Sequence, residues 1–113
     1  MKPVRIVATW DEDEKQTFVL IAIQDGRGWL SDNVEIFGYV KDWDENYRYA
    51  RYPFVVERLS ETEAILDWGG FDPTTTTADI YGRRLVQGEK VVRVEDGESS
   101  VYTIKSIVPF MGE

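Results

Sequence analysis

Lys90-Val91-Val92-Arg93-Val94-Glu95 runs into Asp96-Gly97 and then into Glu98-Ser99-Ser100-Val101-Tyr102-Thr103-Ile104-Lys105-Ser106-Ile107-Val108. The first run is rich in β-branched residues and reads as a strand. Asp-Gly is a tight-turn signal, because a two-residue hairpin loop needs backbone at positive φ. Residues 99–108 read as the partner strand. Alternation puts Tyr102, Ile104 and Val108 on one face and Val101, Thr103, Lys105 and Ile107 on the other.

The same grammar recurs upstream. Val4 to Trp10 is a strand rich in Val, Ile and Thr, and Gln16 to Gln24 is a second. The near-continuous apolar run Phe18-Val19-Leu20-Ile21-Ala22-Ile23 suggests burial on both faces. Asp11-Glu12-Asp13-Glu14 lies between the two as an acidic hairpin tip, and Asp25-Gly26-Arg27-Gly28 is a turn. Asn33 to Val40 is a third strand, with Val34, Ile36 and Tyr39 as packing candidates. Gly38 within it marks a bulge or a close backbone approach.

Asp42-Trp43-Asp44-Glu45-Asn46 reads as a polar loop carrying an indole, and Tyr47 to Tyr52 interleaves aromatic and basic residues. Pro53 confines this stretch to an edge, a bulge or a strand boundary. Phe54 to Arg58 is strand-like. Ser60-Glu61-Thr62-Glu63 either opens a short helix ended by Gly69 or tips a hairpin into Ala64 to Trp68. The Val-rich flanks and the shortness of such a helix favour the hairpin. Asp72-Pro73 offers a start for another brief helix, but the threonines at 74–77 argue for extended chain.

The expected fold is therefore mainly β: a small antiparallel barrel or a β-sandwich of six to eight strands, with at most one or two short helices. Gly82 to Ile107, with a Gly-Glu turn, a strand–turn–strand and a Tyr-x-Ile ending, resembles the generic pattern of small SH3-like barrels. That resemblance covers under a quarter of the chain and implies a shape only. The 113 residues suit one domain spanning 1–113, with no internal repeat or linker.

Composition removes several function classes. The chain has no cysteine and no histidine, which excludes thiolate and Ser-His-Asp catalysis, disulfides, and zinc sites built on Cys or His. With 21 acidic residues some carboxylate pair always lies at a workable spacing, so glycosidase-type chemistry has no specific signal. The expectation is no enzyme, no catalytic residue, no cofactor and no metal. A net charge of −8 repels nucleic acid and favours a basic protein partner. The N-terminus has no signal-peptide pattern, and six apolar residues cannot span a bilayer, so a cytoplasmic protein without membrane contact is expected.

Two stretches are candidate partner-binding surfaces. One is the acidic tip Asp11, Glu12, Asp13 and Glu14. It lacks the spacing of a calcium loop and reads as a solvated or docking feature. The other is Trp43, Asp44, Glu45, Tyr47, Tyr49 and Tyr52, because aromatics with one wet face are enriched in binding hot spots. Trp10, Trp29 and Trp68 read as core anchors or as pocket walls. Arg83-Arg84 reads as a balance for neighbouring acids.

These features suggest a non-enzymatic protein-binding module that docks a basic partner. An inhibitor or immunity-type protein, or an accessory protein of a phage or mobile element, fits that description, and either implies a bacterial or phage source. The alternatives are a structural subunit of a self-assembling or phage-type complex, and a small-ligand or metal-binding β-barrel.

Overall fold

In the computed structural model, residues 1–31, 34–44, 48–70 and 75–109 are described. They form β1 (Lys2–Trp10), β2 (Asp13–Gln24), β3 (Ile36–Asp44), β4 (Arg48–Arg58), β5 (Ala64–Asp67), β6 (Thr76–Ala78), β7 (Lys90–Glu95) and β8 (Glu98–Pro109). There is no helix among the described residues. Each strand pairs antiparallel with the next, and β8 returns to pair with β1, so the sheet closes into an up-and-down barrel. Closure decides against a sandwich. It also settles the ambiguous segment 60–69 as a hairpin. The backbone amides of Leu59 and Ser60 donate to the Glu63 carbonyl, and the Ser60 hydroxyl accepts from the amides of Thr62 and Glu63. The residues that resemble a helix cap tie a turn instead.

Two strand readings need correction. Asp42-Trp43-Asp44 is no loop: it extends β3, opposite Ala50, Tyr49 and Arg48 of β4. Charged residues are tolerated there because this part of the strand stands at the open end of the barrel, where water reaches the inner face. In β8, Ile107 packs against the core, whereas Val108 is 50% exposed. The ladder to β1 slips between Val7 and Ala8, which face Ser106 and Ile104 and leave Lys105 as the extra residue. A bulge of this kind inverts the alternation beyond it. Pro53 sits inside β4 opposite Tyr39, but the ladder to β5 begins only at Val55, so β4 is locally an edge on that side.

The interior has two levels. Phe18, Phe54, Tyr102 and Trp68 form an aromatic layer toward one end, with Phe18 5.4 Å from Phe54 and 5.5 Å from Tyr102 between centroids. Beneath it lie Ile6, Leu20, Ile36, Leu66, Val91 and Ile104, all buried. The segment 79–89 crosses that far end and closes it with Ile80, Tyr81 and Leu85. The Gln24 side-chain amide, buried there, donates to the carbonyls of Gly28 and Leu85 at 3.0 and 2.9 Å. The turn beside it is tied by Asp25, whose carboxylate accepts from the Arg27 and Trp29 amides at 2.8 and 3.1 Å. Arg83 is held by Asp79 and Glu89, which makes it the charge balance expected.

Gly38 allows β2, β3 and β4 to meet. A Cβ there would collide with the Val19 carbonyl and lie 3.0 Å from the Phe54 ring. Gly38→Ala should therefore destabilise the fold by about 1–3 kcal/mol in urea titration; an unchanged midpoint would show that the strands part freely. A second expectation concerns acid. The Trp29 amide above all holds the Asp25 carboxyl below its ordinary 3.8, against the opposing effect of desolvation. The Thr103 hydroxyl and then Lys90 do the same for Asp11. Groups with a depressed folded-state pKa stabilise the fold above the unfolded value, and that stability is lost as pH falls through the folded value. Melting temperature should thus fall as pH drops below 3.8, and less steeply in Asp25→Asn. Superimposable acid limbs would remove the turn from this account.

Candidate functional site

Inward positions on a barrel strand recur every second residue. Followed up β7 from buried Val91, that phase reaches Arg93 and Glu95. Up β2 from Phe18 it reaches Gln16, and up β3 from Val40 it reaches Asp42. Up β4 from Phe54 it reaches Tyr52. The inner face thus changes from apolar to polar above the aromatic layer. There the barrel opens into a cavity of about 460 Å³, lined by Gln16, Val40, Asp42, Tyr52, Pro53, Trp68, Gly69, Arg93 and Glu95.

A chain of hydrogen bonds forms its floor and one wall. The Trp68 indole N–H donates to Thr76 Oγ1 at 2.9 Å, and the Thr76 hydroxyl donates to Glu95 Oε1 at 2.9 Å. Arg93 Nη1 meets the same Glu95 oxygen at 3.5 Å, and Arg93 Nε donates to the Tyr102 hydroxyl at 3.2 Å. That hydroxyl donates to Gln16 Oε1. The Arg93 side chain is only 13% exposed, and Thr76 is fully buried. Burial pushes the Tyr102 phenol up, and Asp42 and Glu95 add to this, while Arg93 opposes it. The phenol is therefore neutral near pH 7 and donates its proton to the network.

Arg93 has five N–H donors. Its bonds to Tyr102 and Glu95 use only Nε and Nη1, and no acceptor among the described residues engages Nη2. A largely buried guanidinium with unspent donors at the floor of a cavity is equipped to hold an oxygen of a guest. Asp42 Oδ1 accepts the Trp43 amide at 2.8 Å, and no cation of the described residues lies within 4 Å of that carboxylate. No group of three or more acidic residues among the described residues is arranged to hold a metal ion.

The sequence-derived candidates distribute unevenly around this mouth. Tyr52 lines it. Trp43 points outward, with the Lys15 ammonium 5.8 Å from its ring centroid. That contact ties the β3–β4 hairpin to the β1–β2 tip, so the two candidate surfaces share one end of the barrel. At the tip, Asp11 accepts bonds from Lys90 and Thr103, whereas Glu12, Asp13 and Glu14 are exposed. Asp44 and Tyr49 lie on β3 and β4; Glu45 and Tyr47 lie outside the described residues. Of the three tryptophans singled out, Trp68 walls the mouth, Trp10 packs against the core, and Trp29 lies at the far end with Arg27 4.2 Å from its ring centroid.

Sequence reading missed Gln16, Thr76, Arg93 and Glu95. A signal existed for the last two: alternation from Val91 carries a core face directly into Arg93 and Glu95, and charge in phase with a core residue marks a site or a mouth. No family model, curated protein or solved structure matches this chain. No helix among the described residues is long and apolar enough to cross a membrane.

Thr76→Val preserves shape and removes the link between Trp68 and Glu95. It should cost about 1–3 kcal/mol, because a buried indole N–H loses its acceptor. Chemical denaturation measures this, and the Trp68 indole resonance should shift. A neutral substitution with an unmoved indole signal would show that the network bears no load.

Proposed function

We propose that this protein is a non-catalytic binder of a small polar molecule, held in the open mouth of its barrel. The observation that carries the reading is Arg93: a largely buried guanidinium with donors left over, at the floor of an aromatic-walled cavity. Eight-stranded barrels either fill their interior with side chains or hold one small ligand, and barrel mouths are a preferred place for such sites. Among the described residues, this interior is filled up to the aromatic layer and open above it. Lack of cysteine and histidine, and the tying of Glu95 by Thr76 and Arg93, support binding rather than turnover.

A second reading, docking of a basic protein, is favoured by a separate observation. The exposed acids of the β1–β2 tip and the Trp43 hairpin sit at the same barrel end, joined through Lys15. The rim would then steer a cationic surface to this end.

A fragment library followed by amide and indole NMR on the ¹⁵N-labelled protein separates the two. The ligand reading expects hits that move Gln16, Asp42, Arg93 and the Trp68 indole together. Phe37 and Val55, paired across β3 and β4, are exposed apolar residues on the outer face; hits confined to them, or none at all, would refute it. A protein partner that moves residues 11–14 and Trp43 while leaving Arg93 unmoved would favour the docking reading.

A further inference from the structure

The charges around the mouth narrow the ligand class. Among the described residues, three charged side chains line the cavity: Asp42, Glu95 and Arg93. Glu95 is engaged by Arg93 and by the Thr76 hydroxyl. Among the described residues, Asp42 is left as the charge without a counterion. Alternation puts its near neighbours Lys15 and Lys41 on the outer surface with Trp43, away from the cavity. Around the opening, Glu12, Asp13, Glu14, Asp96 and Glu98 stand exposed on the β1–β2 and β7–β8 tips. A cleft with one sign of charge and low-dielectric walls concentrates the opposite ion. Among the described residues, an anionic guest would meet this field and two carboxylates, against a single guanidinium already shared with Glu95. The Trp68 and Tyr52 rings add aromatic surface, which favours both an apolar group and a cation.

Resting on the mouth being a ligand site, we infer that it selects a small organic amine: a cationic nitrogen at Asp42, an apolar part against Trp68 and Tyr52, and an oxygen acceptor toward the free Arg93 donors. The ligand is monocationic or zwitterionic, and an anion of the same shape is rejected.

Three matched probes test this by calorimetry. Phenylalaninamide, 3-phenylpropionamide and 3-phenylpropionate share a phenyl group and a carbonyl oxygen and differ in charge. Phenylalaninamide should bind at least about tenfold more tightly than the neutral amide, the scale of one charge-assisted hydrogen bond, and the carboxylate should bind weakest. Asp42→Asn retains an oxygen to accept the Trp43 amide, so it should melt like the wild type and lose the preference for the amine. Glu14→Gln removes the same charge from the rim and should leave most of that preference intact.

A preference that survives in Asp42→Asn would overturn the assignment of Asp42. Tightest binding of the carboxylate, or of the neutral amide, would overturn the amine class while leaving the mouth a ligand site. If no probe binds but library fragments occupy the mouth, the amine class fails alone. If no compound of any charge reaches the mouth, the ligand reading fails and takes this inference with it.

Discussion

Closure of β8 onto β1 is the constraint on which the rest of this molecule depends. A closed sheet has a fixed interior, so every second residue of eight strands competes for one limited volume. The chain fills that volume with aliphatic side chains at one end and four aromatic rings nearer the other. Close approach at Gly38 and the slip at Lys105 are adjustments that let the strands meet around it. The short β5 and β6 complete the ring with seven residues between them, and for that reason the ladder leaves Pro53 unopposed on one side.

The two ends of the barrel solve different problems. At the far end, the loop between β6 and β7 lies across the opening, and its backbone polar groups are met by Gln24 and by neighbouring carbonyls. The amides of Asp79, Tyr81 and Leu85 and the Leu85 carbonyl find partners there, as buried backbone requires. Among the described residues, nothing lies across the mouth. The strands continue past the aromatic layer and their inward residues become polar. Burial of Arg93 and Thr76 is offset by a continuous chain of bonds from Trp68 to Gln16, each member holding the next in one geometry. That rigidity gives the cavity its recognition value: a guest meets fixed donors and acceptors, and little side-chain ordering remains to be done on binding.

Charge adds a second layer of control. The acidic tips surround the opening, whereas Arg83, Arg84 and Arg58 lie toward the closed end. The acidic charge at the mouth matters to any ligand or partner arriving there, since approach is guided by the field before contact begins.

How much of this was legible in the sequence differs from element to element. β7 and β8 were readable because β-branched alternation around Asp96-Gly97 is a local signal. The β4–β5 turn was readable because the helix alternative lacked length. Tyr52 and the pocket role of Trp68 were visible as aromatic residues without a fixed place. Val108 was misassigned because a one-residue slip against β1 inverts the faces of β8, and that slip depends on a strand about a hundred residues away. Asp42 to Asp44 read as a loop because local polarity cannot show that a strand has reached water at a barrel end. The sequence by itself determined the antiparallel β class, the main strands and the exclusion of histidine and cysteine chemistry, because these follow from residue type and nearest-neighbour spacing. Tertiary structure alone decided that Gln16, Asp42, Trp68, Arg93 and Glu95 surround one cavity, because they come from four separate chain segments that only closure of the barrel brings together.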